Sequence, residues 1–157
     1  MSSNAKYSSC PTENVDAPVE VVWSLLTDAG RWGDFFDLRV QRVEPPGPAV
    51  VGQRCFGESG PSFLHLKVTF EFTRIDAARH ALGLKVTLPF GISVREELDC
   101  VFVAAKQCRV NYHCNFEFQD GWRGRATRLL LRRELVTGPA DSLARLKRAA
   151  ERAYGST

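Results

Sequence analysis

Glu96 shares the parity of Val94 and Leu98 within residues 92–102. There Ile92, Val94, Leu98, Cys100 and Phe102 alternate with Ser93, Arg95, Glu97 and Asp99. In a strand this alternation puts Glu96 on the apolar side. A carboxylate there must be paired or protonated, because desolvating a bare charge is expensive. Such a group can accept a ligand hydroxyl or move a proton as a general acid or base. A strand end, a parity-flipping bulge or an ion pair with an arginine gives the same pattern without chemistry.

Tyr112 is inward by the same count, in a segment where Cys108, Val110, Tyr112, Cys114, Phe116 and Phe118 alternate with Arg109, Asn111, His113, Asn115 and Glu117. A buried tyrosine offers a large apolar body and a hydroxyl that needs a partner, whether in a cavity or in an ordinary core. Arg54 is ambiguous. It points inward only if Phe56 does, and then it meets Glu96 or an anionic head group; its strand is too short to fix the register. Glu96 and Tyr112 are therefore the candidate catalytic residues. Arg54, Phe56, Phe70, Leu84, Glu96, Leu98, Tyr112, Cys114 and Phe116 are the candidate ligand-lining residues.

The remaining chemistry-bearing residues give less. His65 and His113 fall on the wet face, and His80 opens a strand on inward parity. Trp23 reads as core beneath the first helix, whereas Trp32 and Trp122 flank element ends and are candidates for a cavity rim. There is no GxSxG, HExxH, Walker loop or GxGxxG, so the common nucleophile, zinc and phosphate signatures are absent. Gly121-Trp122-Arg123-Gly124 precedes a helix without forming a phosphate cradle. The five cysteines are odd in number and include no CxxC pair. Reduced thiols in a cytoplasmic setting are expected, with no metal and no cofactor.

The elements that position these residues follow from periodicity. Asp16-Ala17-Pro18 signals a helix start, and Val19, Val22, Trp23 and Leu26 form its apolar stripe. Arg31 to Phe36 reads as a second short helix with Trp32, Phe35 and Phe36 as apolar members. Residues 38–119 then take period two: strands near 38–44 and 50–58, then 64–73, 80–88, 92–102 and 108–118. One more strand is expected near 6–15. The intervening breaks, among them Gly57 to Pro61 and Pro89-Phe90-Gly91, carry turn chemistry and make an antiparallel meander. From Arg123 the period is helical. Leu129, Leu130, Leu131, Leu135 and Val136 form the first half, and Leu143, Leu146, Ala150 and Ala153 the second. Thr137-Gly138-Pro139 is expected to break or kink the helix between them.

The whole is an α+β arrangement. A curved seven-stranded antiparallel sheet wraps a long C-terminal helix, and two short helices follow the first strand. At 157 residues, with 44% hydrophobic and 25% charged side chains, the chain fits a single domain over 1–157. No apolar run reaches the ~18 residues of a membrane span, and MSSNAKYSSC lacks a signal peptide's apolar core. Net charge is +3 overall, but residues 121–157 hold 9 basic and 3 acidic side chains. That segment is either a solvated helix face or a surface for an anionic partner. An overall charge of +3 is too small to imply nucleic acid as the main partner, and peripheral membrane contact stays open.

The element order resembles the helix-grip fold of the START and polyketide-cyclase-like (SRPBCC) superfamily. Two stretches carry the resemblance most specifically. One is Val15-Asp16-Ala17-Pro18-Val19-Glu20-Val21-Val22-Trp23, continuing through Leu26-Thr27-Asp28. The other is Ala140-Asp141-Ser142-Leu143-Ala144-Arg145-Leu146-Lys147-Arg148-Ala149-Ala150-Glu151. The first is similar to the strand-to-helix passage of bacterial members of the polyketide cyclase/dehydrase or lipid transport type, and the second to their terminal helix. These motifs are structural and transfer no catalytic residue. The resemblance implies a cavity between sheet and helix that holds a small hydrophobic molecule such as a lipid, isoprenoid or polyketide. It equally admits a cyclase, aromatase or dehydratase, and fold alone does not choose. A third reading is an interaction protein that uses the basic C-terminal helix.

Overall fold

The computed structural model describes residues 6–60 and 65–156. Leu64 and Pro61, which bound two of the expected segments, lie outside the described residues. The alternating segments form β5 (Leu66–Asp76), β6 (Ala81–Thr87), β7 (Ser93–Ala104) and β8 (Gln107–Glu117), each antiparallel to the next. β3 (Arg39–Glu44) and β4 (Arg54–Ser59) extend the sheet on the β5 side. At the other edge the expected strand near 6–15 is two pieces, β1 (Lys6–Ser9) and β2 (Thr12–Val15), both paired with β8. The split falls at Cys10-Pro11, where proline has no N–H to give the ladder; its carbonyl still accepts from the Tyr112 N–H at 3.0 Å. The sheet order is β1-β8-β7-β6-β5-β4-β3, with β2 beside β1 on β8.

Helix α1 (Val19–Leu26) buries Val19, Val22, Leu25 and Leu26. Trp23 is only half-buried, its ring edge-on to His80 at 5.6 Å. A 3-10 helix at Ala29–Asp34 follows and aims Trp32 into the interior, where its Nε1–H donates to the Leu26 carbonyl at 3.1 Å. Phe35 and Phe36 continue inward beside it.

The C-terminal region is α2 (Trp122–Leu130) followed by α3 (Arg132–Gly155). The break lies at Leu131, and α3 runs through Pro139, contrary to the expected interruption at Thr137-Gly138-Pro139. Proline denies the Leu135 carbonyl its helical donor. The loss is offset because Leu135, Pro139, Leu143, Leu146 and Ala150 are all buried along one face. Packing of such a face outweighs local propensity.

The main core joins α1, the 3-10 helix, the second half of α3 and the inner face of the sheet. A separate minor core of Ile92, Phe118 and Leu135 closes the opposite end of the strands. Cys55, Cys100, Cys108 and Cys114 are buried free thiols, and Cys10 is an exposed one. Among the described residues no helix is long and apolar enough to cross a membrane.

Candidate functional site

The register around Glu96 is regular. Glu96 stands opposite Leu84 on β6 and Cys114 on β8, and Leu98 stands opposite Leu82 and Tyr112. The β7/β8 ladder stays in step from Ser93↔Glu117 to Phe102↔Cys108 and shifts only beyond Phe102. No bulge therefore turns Glu96 away, and its side chain lies on the inner face among apolar neighbours. Tyr112 lies diagonally across, with its hydroxyl in hydrogen-bonding reach of the Glu96 carboxyl and the Cys114 thiol.

Burial pushes the Glu96 carboxyl from its ordinary 4.5 up to about 7, against a smaller downward pull from the Tyr112 hydroxyl. Burial, and then the nearby Glu96 charge, hold the Tyr112 phenol well above 10. Tyr112 is thus a neutral donor at every physiological pH, and Glu96 titrates near neutrality. Within the described residues the Glu96 Oε2 atom is buried and has no hydrogen-bond partner. A buried acceptor left empty is uncommon and carries a cost.

The 3-10 helix and the turn that follows it supply the facing wall. Phe36 lies 6.2 Å from the Tyr112 ring and is stacked on Phe70 at 5.6 Å, and Trp32 packs edge-on against both phenylalanines. Phe36 and Phe70 each keep 7% exposure and Glu96 keeps 8%, whereas Trp32, Phe35 and Phe72 keep 1%.

The structure brings Phe70, Leu84, Glu96, Leu98, Tyr112 and Cys114 to this inner face, with Phe116 half-buried at its end. Arg54 and Phe56 do not join them. Cys55 and Gly57 are the inward residues of β4. Arg54 is exposed and ion-paired with Glu71 at 3.3 Å, and Phe56 lies on the outer face beneath the Arg42 guanidinium at 4.4 Å. The physical reason is the pairing of β4 with β5, which sets Cys55 opposite the inward Phe70. Gly57 has room for no side chain, since a Cβ would come within 2.5 Å of the Arg39 carbonyl oxygen.

Of the other candidates, Trp32 is core and Trp122 is exposed. His65 sits on the surface beside Glu58 and Arg39, and His113 beside the Cys10 thiol at 3.2 Å. His80 is half-buried in a turn with φ +50°. Phe36 was legible as an apolar helix member, but its position over Tyr112 was not.

A cleft lies elsewhere. About 340 Å³ in volume, it is open and polar, lies between the 3-10 helix and the end of α3, and is lined by Arg31, Asp34, Ala149, Arg152, Ala153 and Ser156. It is not the apolar cavity expected beside Glu96.

The sequence profile described as polyketide cyclase / dehydrase and lipid transport matches residues 12–151. The chain belongs to this family. Among curated proteins no sequence matches. Solved structures share the helix-grip architecture of this chain. Norcoclaurine synthase from Thalictrum flavum is 13% identical with a TM-score of 0.71, over 98% of this chain and 99% of that one. The Zhui aromatase/cyclase from Streptomyces sp. R1128 is 17% identical with a TM-score of 0.68, over 94% and 95%. Ara h 8.0201 is 11% identical with a TM-score of 0.66, over 98% and 100%. At such identities the likeness is one of fold.

Proposed function

We propose that this member of the polyketide cyclase / dehydrase and lipid transport family binds a small hydrophobic molecule between the inner sheet face and the C-terminal helix. Lipids, isoprenoids, polyketides and aromatic metabolites fit the chemistry of that interior. The observation that carries the reading is the empty Glu96 Oε2, an acceptor set in an apolar surround. A ligand hydroxyl or amine supplies the missing donor, Tyr112 orients the carboxyl, and the ligand body contacts Phe36, Phe70, Leu84 and Leu98. Affinity comes from apolar burial at about 25 cal/mol per Å², and orientation from the two polar groups.

Native mass spectrometry of freshly purified protein, with extraction of what dissociates, tests the reading. A stoichiometric hydrophobic metabolite, weakened by Glu96→Gln and Tyr112→Phe, supports it. A clean apo mass, together with failure of a fluorescent fatty-acid and polyketide panel to saturate, sinks it.

One observation favours a second reading, an enzyme of the cyclase or dehydratase kind. A carboxyl near 7 exists in both protonation states at neutral pH, as a general acid or base requires. Glu96→Gln separates the readings: turnover of a polyketide-like substrate collapses while binding survives if Glu96 moves a proton.

A further inference from the structure

The segment 122–136 is inside out. Gly124 and Leu135 are buried and Leu131 half-buried, so these residues mark the face turned to the protein. Trp122, Leu129 and Val136, spaced seven apart, fall on the opposite side. The spacing holds across the α2/α3 joint, because the Leu131 N–H donates to the Thr127 carbonyl and the Leu135 N–H to the Leu131 carbonyl, both at 3.0 Å. Large apolar side chains stand on that outer side, interleaved with arginines. Trp122 is 75% exposed, Leu129 72% and Leu130 81%, and Val136 is also exposed. An ordinary surface helix carries polar side chains there.

The patch extends beyond the helices. The β6–β7 turn abuts the start of α2, since a Cβ at Gly91 would collide with the Gln119 side chain and one at Gly124 with the Gln119 carbonyl oxygen. This turn presents exposed Phe90 at the same end of the molecule. Among these apolar groups stand Arg123, Arg125, Arg128, Arg132 and Arg133, against one acidic residue, Glu134, in the same stretch. The Arg123 guanidinium lies 5.6 Å from the centre of the Trp122 ring.

We propose that this face docks onto an anionic lipid bilayer. The arginines complement acidic head groups, and the leucines and Trp122 enter the boundary between head groups and acyl chains. This is the composition of an interfacial amphipathic helix. Phosphate of a nucleic acid satisfies the arginines alone and leaves Leu129, Leu130 and Phe90 in water, so the apolar half of the surface selects the bilayer. The inference does not depend on the ligand site at Glu96.

The test is co-sedimentation of the full chain with vesicles of phosphatidylcholine alone, or with about one third phosphatidylglycerol, at low and high salt. Tryptophan emission is followed with brominated lipids as quencher. Binding is expected only to the anionic vesicles, falling with salt, with tryptophan emission blue-shifted and quenched in the wild type but not in Trp122→Phe, which keeps Trp23 and Trp32. Leu129→Ser/Leu130→Ser, both exposed and so folding normally, is expected to weaken binding about tenfold. Arg125→Gln and Arg128→Gln are each expected to cost roughly fivefold. Four outcomes overturn the proposal. One is equal affinity for neutral and anionic vesicles. Another is tryptophan emission that lipid leaves unmoved in the wild type or shifts equally in Trp122→Phe. A third is a concentration-dependent dimer in light scattering that the double leucine variant disperses, which assigns the face to a second copy. Binding to RNA that survives the leucine changes, without vesicle binding, also overturns it.

Discussion

The two ends of the C-terminal helical region obey the same apolar periodicity and meet different fates. In its second half, Leu143, Leu146, Ala149 and Ala150 are buried in the main core against α1, the 3-10 helix and the sheet. In the stretch around Leu131, Leu135 is buried in a minor core of three residues, while Leu129, Leu130 and Val136 face solvent. Periodicity tells which side chains share a face. Burial depends on whether another element covers that face; the sheet, α1 and the 3-10 helix cover the second half, whereas the first half meets the sheet only at Leu135 and Leu131.

The sharpest test of this contrast is a truncation at the closed end. Trp32→Ala is expected to cost about 3–5 kcal/mol, because it removes the ring that Phe36, Phe70 and Phe72 pack on and leaves a cavity. Urea denaturation followed by circular dichroism reads the loss; a change under 1 kcal/mol would mean the closed end is loosely packed.

Next comes pH. Folded Glu96 binds its proton up to about pH 7, and unfolded at an ordinary 4.5. The contribution of this group is therefore fully present below pH 4.5 and is lost as pH rises through 7. It amounts to on the order of 3 kcal/mol. Thermal melts across pH 5–8 are expected to show a falling Tm that Glu96→Gln flattens. An identical slope in the variant would assign the dependence to other groups.

Leu146→Ala against Leu135→Ala compares the two cores directly. The first is expected to cost about 2–4 kcal/mol and the second about half as much, because the minor core can collapse around the gap. Calorimetry that ranked them in the opposite order would reverse the assignment of main and minor. The smallest effect belongs to Leu130→Ala, expected within ~0.5 kcal/mol of wild type. A larger loss in a chemical-denaturation series would show that the outer face is packed in solution.

The legibility of the molecule in its sequence follows the same division. The four long strands were readable because each alternates for seven or more residues, enough to fix parity. Glu96 and Tyr112 kept their predicted side because the β7/β8 hairpin stays in register until Phe102. β4 defeated the reading of Arg54 and Phe56: it has only six residues and one inward position is Gly57, which gives no hydrophobic signal. Phe102 shared inward parity yet is exposed, because the hairpin tip runs past the core. The wall formed by Trp32 and Phe36 over Tyr112 joins residues some eighty positions apart, a juxtaposition that no local pattern encodes. Pro139 signalled a break because local rules ignore the buried stripe that carries the helix through it.

The split of the first strand at Cys10-Pro11 has a consequence for self-association. An open sheet offers its free edges as templates for strand addition and fibril growth. Here one edge is two four-residue pieces interrupted by proline. The other, β3, is bulged between Val40 and Arg42 and studded with Arg39 and Arg42. An incoming strand finds no long, flat run to zip onto at either margin. The fold can keep its sheet open for a helix to grip without becoming a seed for aggregation.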